Sequence, residues 1–279
     1  MGWEPVSCKR GVGMKVKDLG ELSGPLLLFG GGYSNLQAIE ALEREAQRLE
    51  IPASQMICTG DVVAYCAEAE ASVAAIRDLG CAVIAGNCEK QAAAGAEDCG
   101  CGFEDDSQCS ILARGWYAHA LAQVSEDNRR WMADLPDVAT FTLNGRRYAV
   151  IHGGITNISR FIWSVSDEAV FEEEITAVER LVGPVDGVIA GHSGIAFVVE
   201  VEGKVWINTG AIGMPPNDGS PDTRYVVLEK AARIERLTYD FRSAQKRMRS
   251  EGLIQGYDLA LETGLWPSED TLPPVLRRG

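Results

Sequence analysis

The chain has 279 residues, of which 46% are hydrophobic and 24% are charged, a globular composition that suits one large domain or two small ones. Its formal net charge of -14 excludes a broad basic surface, so we expect neither nucleic acid nor an anionic membrane as a partner. No apolar run reaches the roughly 20 residues that span a membrane, and Met1–Ser7 lacks an apolar signal core, so we expect a soluble, cytoplasmic protein.

The first part of the chain alternates between strand-like apolar runs and segments with apolar residues on one helical face. The Gly30–Gly32 turn follows the first strand, and Gly80 ends the second helix. Three strands separated by two helices predict a parallel sheet with right-handed crossovers. The predicted strands are 25–29, 56–59 and 81–85, and the predicted helices are 35–49 and 67–79.

Residues 90–108 are rich in Gly, Ala, Cys and acidic residues, and we predict an inserted loop there. The later part of the chain carries strand pairs separated by turn residues, of which Asn144-Gly145 is a strong hairpin signal. The predicted helices are 110–123, 125–133, 167–181 and 241–251, and the predicted strands are 139–143, 146–151, 187–190, 196–201, 204–208, 224–228 and 233–239.

No clear linker divides these elements, so we predict one domain over 1–279, with a core at about 25–240 and a C-terminal helix and tail at 241–279. The pattern predicts an α/β fold in which two mixed β-sheets pack face to face with flanking helices.

Four short polar motifs each follow an apolar run: Gly60-Asp61, Gly86-Asn87, His152-Gly153 and Gly191-His192. Ligands of open α/β sheets bind where strands end, so these side chains are predicted to converge. Aspartate, asparagine and histidine are O and N donors that suit a divalent ion such as Mn, Fe or Zn. The motifs therefore predict a metal site, with turn formers and core histidines as the simpler alternative.

In this order the motifs resemble the calcineurin-like metallophosphoesterase superfamily, most closely its small bacterial phosphodiesterase and protein-phosphatase-like members, over about residues 26–239. The family signature is D-x-H, G-D, G-N-H with a following acid, H-G and G-H-x-H. Glu89 matches the acid, and residues 207–213 resemble the family segment I-N-P-G-S-x-G. The resemblance implies a four-layer αββα sandwich and metal-dependent hydrolysis of a phosphate monoester or diester.

The chain also departs from that signature. Gly31 and Tyr33 stand where the family has its opening Asp and His, Gly194 stands at the last His, and Cys88 replaces the His of G-N-H. The resemblance implies two ions that share a bridging Asp; the three missing ligands all belong to the first. It therefore implies one divalent ion per chain, held by the matching ligands Asp61, Asn87, His152 and His192.

The resemblance also suggests catalytic roles for Asp61, Asn87 and Cys88. Cys88 takes the place of a general acid, and because an unperturbed thiol has a pKa of about 8.5, an activated diester is the better substrate guess. Substrate-binding candidates are Tyr33 and Asn35, which would line an anion cradle at the Gly30–Gly32 turn, and Arg160, which would pair with a phosphate. A plain tight turn is the alternative to the cradle.

The eight cysteines are expected to be reduced thiols. A thiol-rich surface loop is the favoured interpretation of Cys99, Cys101 and Cys109, with a structural metal as the alternative. Three functions stay open: a one-metal phosphoesterase acting on a small phosphorylated substrate, a non-catalytic descendant that binds a phosphorylated ligand or metal, and a thiol enzyme or redox sensor that works through Cys88.

Overall fold

Strands and helices alternate through residues 13–278, which are the residues that this computed structural model describes. Met1–Ser7, where we predict no signal core, and Cys8 lie outside that range. The strands are Val16–Leu22 (β1), Leu26–Phe29 (β2), Met56–Cys58 (β3), Ala82–Val83 (β4), Val138–Leu143 (β5), Arg146–Val150 (β6), Gly187–Ala190 (β7), Ala196–Val201 (β8), Lys204–Thr209 (β9), Thr223–Leu228 (β10) and Ala232–Leu237 (β11). The helices are Leu36–Arg48 (α1), Ala69–Leu79 (α2), Asn87–Ala94 (α3), Gln108–Gln123 (α4), Glu126–Asp134 (α5), Glu168–Val182 (α6), Phe241–Ser250 (α7) and Tyr257–Thr263 (α8).

The strands form two mixed sheets. One has six strands in the order β1-β5-β6-β7-β9-β8, and the other has five in the order β11-β10-β2-β3-β4. In the five-stranded sheet β2, β3 and β4 run parallel, as the alternation of strands and helices predicts. In the six-stranded sheet β6, β7 and β9 run parallel, and the predicted hairpins β5-β6 and β8-β9 are antiparallel.

Three apolar layers show how the sheets and helices stack. The layer between the sheets contains Leu28 and Ile57 from one sheet and Phe141 and Ile189 from the other. A second layer lies between the five-stranded sheet and helices that include α1 and α2, and a third lies between the six-stranded sheet and α6. This order of layers confirms the predicted αββα arrangement of two packed sheets with flanking helices.

The sheets bring the four polar motifs to one place. The motif residues follow the carboxyl ends of β3 and β4 in one sheet and of β6 and β7 in the other. The turns pack closely, because a Cβ on Gly60 would lie 2.5 Å from the backbone nitrogen of Gly86. Only glycine fits there, and its φ of +94° is also in the region that favours glycine.

Some elements differ from the sequence prediction. The predicted loop 90–108 begins inside α3, because Glu89 reaches back to the Gly86 N–H and an alanine-rich turn follows. The predicted tail contains α8, which lies between two glycines with positive φ, Gly256 and Gly264. β1 was not predicted, since this mostly exposed edge strand has no buried face to impose an alternating pattern. Among helices of the described range, none has the length and apolar character to cross a membrane.

Candidate metal centre

Asp61 lies in the turn after β3, and hydrogen bonds fix both its backbone and its side chain. Its N–H donates to the Glu89 carboxylate at 2.7 Å, and its own Oδ1 accepts from the Cys88 N–H at 3.3 Å. The residue has a φ of +56°, which is uncommon for a residue with a side chain and recurs at functional sites. This conformation leaves Oδ2 facing the two histidine motifs.

Asn87 begins α3, and its amide has a defined orientation. Nδ2 donates to the Cys99 carbonyl at 3.0 Å and lies 3.4 Å from the Cys101 sulfur. Because a carbonyl can only accept, the nitrogen must face Cys99 and the oxygen must face the opposite way. Asn87 Oδ1 consequently lies 3.0 Å from Nε2 of His152.

His152 has a defined tautomer for the same reason. Its Nδ1 lies 2.6 Å from the backbone carbonyl oxygen of Thr59, so Nδ1 carries the proton and donates it. In the neutral ring, Nε2 then presents a lone pair. It faces Asn87 Oδ1, Asp61 Oδ2 at 3.2 Å and His192 Nδ1 at 3.2 Å.

His192 completes the cluster from the turn after β7. Its φ is +61°, its Nδ1 lies 3.9 Å from Asp61 Oδ2, and the Phe161 ring packs against it with a centroid separation of 4.5 Å. Its other ring nitrogen, Nε2, is buried and makes no hydrogen bond to any residue that the structure describes. The imidazole is thus held mainly by packing.

These four side chains fit a divalent cation. A metal bound at about 2.0–2.2 Å separates neighbouring ligand atoms by roughly 3.0–3.5 Å, and the measured separations run from 3.0 to 3.9 Å. Asn87 Oδ1, Asp61 Oδ2 and the Nε2 lone pair of His152 are electron-rich atoms that face one another, and a divalent ion between them would offset their mutual repulsion. Asp61, His152 and His192 also form the one metal-ligand cluster found among the described His, Cys, Asp and Glu side chains.

The charges around Asp61 keep its carboxyl group ionised, as a metal ligand requires. Burial by itself raises the pKa of its carboxyl, but the charge and hydrogen bond of His152, followed by those of His192, hold the pKa well below its usual range. Asp61 is therefore a carboxylate throughout the physiological pH range.

Glu89 supports the site without reaching its centre. This fully buried carboxylate accepts from the N–H groups of Asp61, Val62 and Gly86 at 2.7, 2.8 and 2.8 Å. It joins the turn after β3 to the start of α3 and so fixes Asp61 relative to Asn87. Burial, then the charge of Asp61, raises the pKa of Glu89 to about 6.

An aromatic ring lies beside the positions at which the family signature has its first Asp and its last His. A Cβ on Gly31 would lie 2.7 Å from Cζ of Tyr33, and a Cβ on Gly194 would lie 3.6 Å from the Tyr33 hydroxyl. Tyr33 therefore occupies the space between Gly31 and Gly194. The ring is buried, and Tyr33, like Asp61 and His192, has a positive φ, here +52°.

Two features that we predict to bind substrate make contacts within the protein. The N–H groups of Gly31, Tyr33 and Ser34 donate to carbonyls of the turn after β3, so these three groups are not free to bind an anion. These contacts fit the tight turn that is the alternative to a cradle. Asn35 caps α1 through Oδ1 and donates to the Gly213 carbonyl through Nδ2, so both ends of its amide bind within the protein.

Arg160 is likewise not directed at the cluster. Its guanidinium pairs with Glu173 and Glu174, each at 2.7 Å. Both carboxylates compete with any phosphate for this group, so the predicted role of Arg160 in substrate binding has no support from its contacts.

The cysteines also differ from expectation. Cys99 and Cys101 form a disulfide, so they are not the reduced thiols that we expect. They lie in the predicted loop between α3 and α4, where their side chains are buried while most neighbouring residues are exposed. Cys109 lies in α4 and contacts Ser268. Burial, then the charges of Asp61 and Glu89, raises the pKa of the Cys88 thiol well above its ordinary value. A reactive cysteine needs the opposite shift, so the thiol-enzyme alternative loses its basis.

Some site features could not be found by sequence reasoning. Thr59 acts through its backbone carbonyl, for which no residue type is a signal. The wall beside His192 is assembled from aromatic residues of distant segments: Tyr65, Phe103, Phe161, Tyr257 and Trp266.

Comparisons with known proteins identify the family of this chain and a relative. The model of the calcineurin-like phosphoesterase superfamily domain matches residues 34–232. Uncharacterized protein MJ0912 of Methanocaldococcus jannaschii is 26% identical over 234 residues, which cover 77% of this chain and 88% of that protein.

Two solved structures share the fold. A metallophosphoesterase from Sphaerobacter thermophilus superposes with a TM-score of 0.64 at 21% identity, covering 88% of this chain and 100% of that one. Hypothetical protein PH1004 from Pyrococcus horikoshii OT3 superposes with a TM-score of 0.71 at 13% identity, covering 87% and 99%. Because the family model spans more than half of its residues, this chain belongs to the calcineurin-like phosphoesterase superfamily.

Proposed function

We propose that the chain is a metal-dependent phosphoesterase that holds one divalent ion on Asp61, Asn87, His152 and His192. The observation that supports this most directly is the His152 imidazole. Its Nδ1 donates to the Thr59 carbonyl, so its Nε2 lone pair faces Asn87 Oδ1, Asp61 Oδ2 and the His192 ring nitrogen Nδ1. Mn, Fe and Zn all suit this donor set of oxygen and imidazole nitrogen.

The bound ion would supply a Lewis acid that lowers the pKa of a water and neutralises charge on a phosphoryl oxygen. The chain's own residues hold that position rigid. The Thr59 carbonyl orients His152, and the Glu89 carboxylate keeps Asp61 at the start of α3. In the hydrolysis that we propose, a water oxygen would bond to phosphorus as the bond from phosphorus to the ester oxygen breaks. The proton released by the water would pass to an alkyl leaving oxygen, or to bulk solvent when an activated aryloxide leaves unprotonated.

The Tyr33 ring lies between Gly31 and Gly194, where the family signature has ligands of a second ion, so we expect a slow reaction. Without a second ion, the reaction loses several kcal/mol of transition-state stabilisation, which corresponds to orders of magnitude in rate. The Cys88 thiol, whose pKa is raised by burial, is a poor proton donor to a leaving group. Activated esters, which leave without a proton, are therefore the better substrates for a first assay.

A second candidate function is binding without turnover. The Tyr33 ring lies beside the positions of two family ligands, which supports this candidate. A site with one ion can bind a phosphorylated ligand without the groups that hydrolysis needs. The two candidates make the same prediction for metal binding and different predictions for hydrolysis.

The test begins with bound metal per chain, measured by elemental analysis after saturation with Mn, Fe or Zn and removal of free ion. We expect one ion in the wild type, loss of that ion in His192→Ala, and no change in His119→Ala. His119 is a suitable control because it contacts the Ala67 carbonyl and Gln123, outside the cluster.

Hydrolysis of an activated aryl phosphodiester by the metal-loaded protein then separates the candidates. Turnover that is lost in Asp61→Asn supports the phosphoesterase, whereas one bound ion without turnover supports the binding protein. No bound ion under any of the three conditions would refute the metal-dependent phosphoesterase and would favour a descendant of the fold that binds a phosphorylated ligand without metal.

A further inference from the structure

The candidate metal centre opens onto a small cavity with aromatic walls. The cavity has a volume of about 50 Å³ and touches the cluster at His192, which lies in its lining. Six aromatic rings contribute to the wall: Tyr33, Tyr65, Phe103, Phe161, Tyr257 and Trp266. Phe161 packs directly on the His192 imidazole, so a group in the cavity lies next to a metal ligand.

The cavity depends on the departure of this chain from its family's signature. A Cβ on Gly194 would meet the Tyr33 hydroxyl at 3.6 Å and the Trp266 ring at 3.7 Å, so a side chain at this position would project into the space between those rings. The edge-to-face contact of Tyr33 with Tyr65, at 4.8 Å, continues the wall away from the metal centre. Where the family signature has a metal-ligating His, this chain therefore has a glycine beside the Tyr33 and Trp266 rings.

The lining is electrically neutral. It contains no Lys, Arg, Asp or Glu side chain from the described part of the chain, and its remaining polar residues are hydroxyl and thiol groups such as Ser193, Ser268 and Thr271. Burial raises the pKa of the Tyr33, Tyr65 and Tyr257 phenols, so these groups stay neutral as well. Arg160, the arginine that follows the His152 turn, is already paired with two glutamates.

Among the described residues that line the cavity, no side chain is cationic, so the metal would supply the positive charge that a phosphate group bound here meets. Asp61 cancels part of that charge, and Glu89 lies buried beneath it. A phosphodiester carries one negative charge, whereas a phosphomonoester above its second pKa of about 6 carries nearly two. The second charge of a monoester would have no cationic side chain to receive it, and burying an unpaired charge is costly.

We propose that this site selects phosphodiesters over phosphomonoesters, with the second, uncharged ester group of the diester in the aromatic cavity beside His192. This substrate class rests on the proposed function, since it assumes that the phosphate binds at the metal centre. A cavity of about 150 Å³ holds benzene, so this smaller one takes an alkyl group or the edge of a ring.

Binding to the metal-loaded protein tests the selection without relying on turnover. The two probes are methyl phenyl phosphate and phenyl phosphate, compared by calorimetry at about pH 8, where the monoester is a dianion. We expect the diester to bind about tenfold more tightly, because the neutral wall accepts its methyl or phenyl group and rejects the second charge.

A lysine on the cavity wall provides the decisive variant. Thr271 is half-buried in the lining, so Thr271→Lys brings a cation to the cavity, and we expect phenyl phosphate to bind at least about fivefold more tightly in this variant. Gln47→Lys makes the same charge change on the exposed face of α1 and should leave both affinities unchanged.

Equal or tighter binding of phenyl phosphate by the wild type, or no binding of either probe, would overturn this proposal. An unaltered preference in Thr271→Lys would do so as well, because the selection would then not come from the cavity wall. If the diester preference holds but neither probe is hydrolysed, the phosphoesterase activity fails while the ligand class stands. The two proposals can therefore fail separately.

Discussion

The imidazole of His152 is anchored to the backbone of Thr59, with 2.6 Å between Nδ1 and the carbonyl oxygen. This contact joins the turn after β6 in one sheet to the end of β3 in the other. Since the carbonyl accepts only, the proton resides on Nδ1 and the lone pair of Nε2 points at Asn87 and Asp61. One interaction across the sandwich thus sets both the ring position and the tautomer that a metal requires.

Saturating Mn²⁺ should raise the Tm of the wild type, because an ion that binds only the folded state stabilises it. The gain is about 2.7 kcal/mol when the free ion is at 100 times its Kd, which is roughly 5–10 °C for a domain of this size. In His152→Ala the shift should disappear, whereas His119→Ala should keep it. A full shift in His152→Ala, measured by calorimetric melting, would remove His152 from the ligand set.

Two substitutions of Asn87 should separate its two hydrogen-bonding roles. Asn87→Asp keeps an oxygen toward His152 but loses the donor to the Cys99 carbonyl, so we expect one bound ion and a loss of about 1–3 kcal/mol in unfolding free energy without metal. Asn87→Leu loses both groups and should also lose the ion. Equal metal content in the two variants would argue against Oδ1 as a ligand.

Replacement of the Glu89 carboxylate should destabilise the metal-free protein strongly. Glu89→Gln places an amide against N–H donors that now share one buried carboxylate, and we expect about 3–5 kcal/mol lower unfolding free energy in urea. Glu70→Gln is the matched control, since Glu70 is only half-buried and its carboxylate accepts from the Ser125 N–H; it should cost about 1 kcal/mol or less. Similar losses in both variants would show that Glu89 has no special role.

Cys88→Ser should leave metal-dependent hydrolysis within about twofold of the wild type, because the buried thiol with its raised pKa neither attacks nor donates a proton. The backbone N–H that bonds Asp61 is present in both residues. A chelator should abolish the activity of both proteins. Hydrolysis that survives the chelator and vanishes in Cys88→Ser would return the thiol mechanism to first place.

Restoring the first-ion ligands should add a second metal only when space is made for them. A Cβ on Gly31 would lie 2.6 Å from the Ala211 Cβ and 2.7 Å from the Tyr33 ring. We therefore expect two ions per chain in the combination Gly31→Asp, Tyr33→His, Gly194→His and Ala211→Gly, and a less stable protein when Ala211 is kept. One ion in the four-residue variant would show that these positions do not face a first-ion site.

The sequence by itself determined the elements whose signals are local. Strand periodicity, the Asn144-Gly145 turn and the helix end at Gly80 predicted most strands and helices and the packing of two sheets. The order of the polar motifs predicted which side chains gather, because the carboxyl ends of parallel neighbours meet at one edge. That the chain forms one domain stays a prediction.

Tertiary structure alone decided how these side chains are used. The amide orientation of Asn87 depends on a carbonyl at Cys99, and the tautomer of His152 depends on one at Thr59; backbone carbonyls leave no trace in residue type. The position of the Tyr33 ring beside Gly194 and the pairing of Arg160 with Glu174 depend on residues that no short motif contains. The aromatic cavity joins segments as far apart as Tyr33 and Trp266, and contacts at that separation are set by packing, because local sequence patterns report only neighbouring residues.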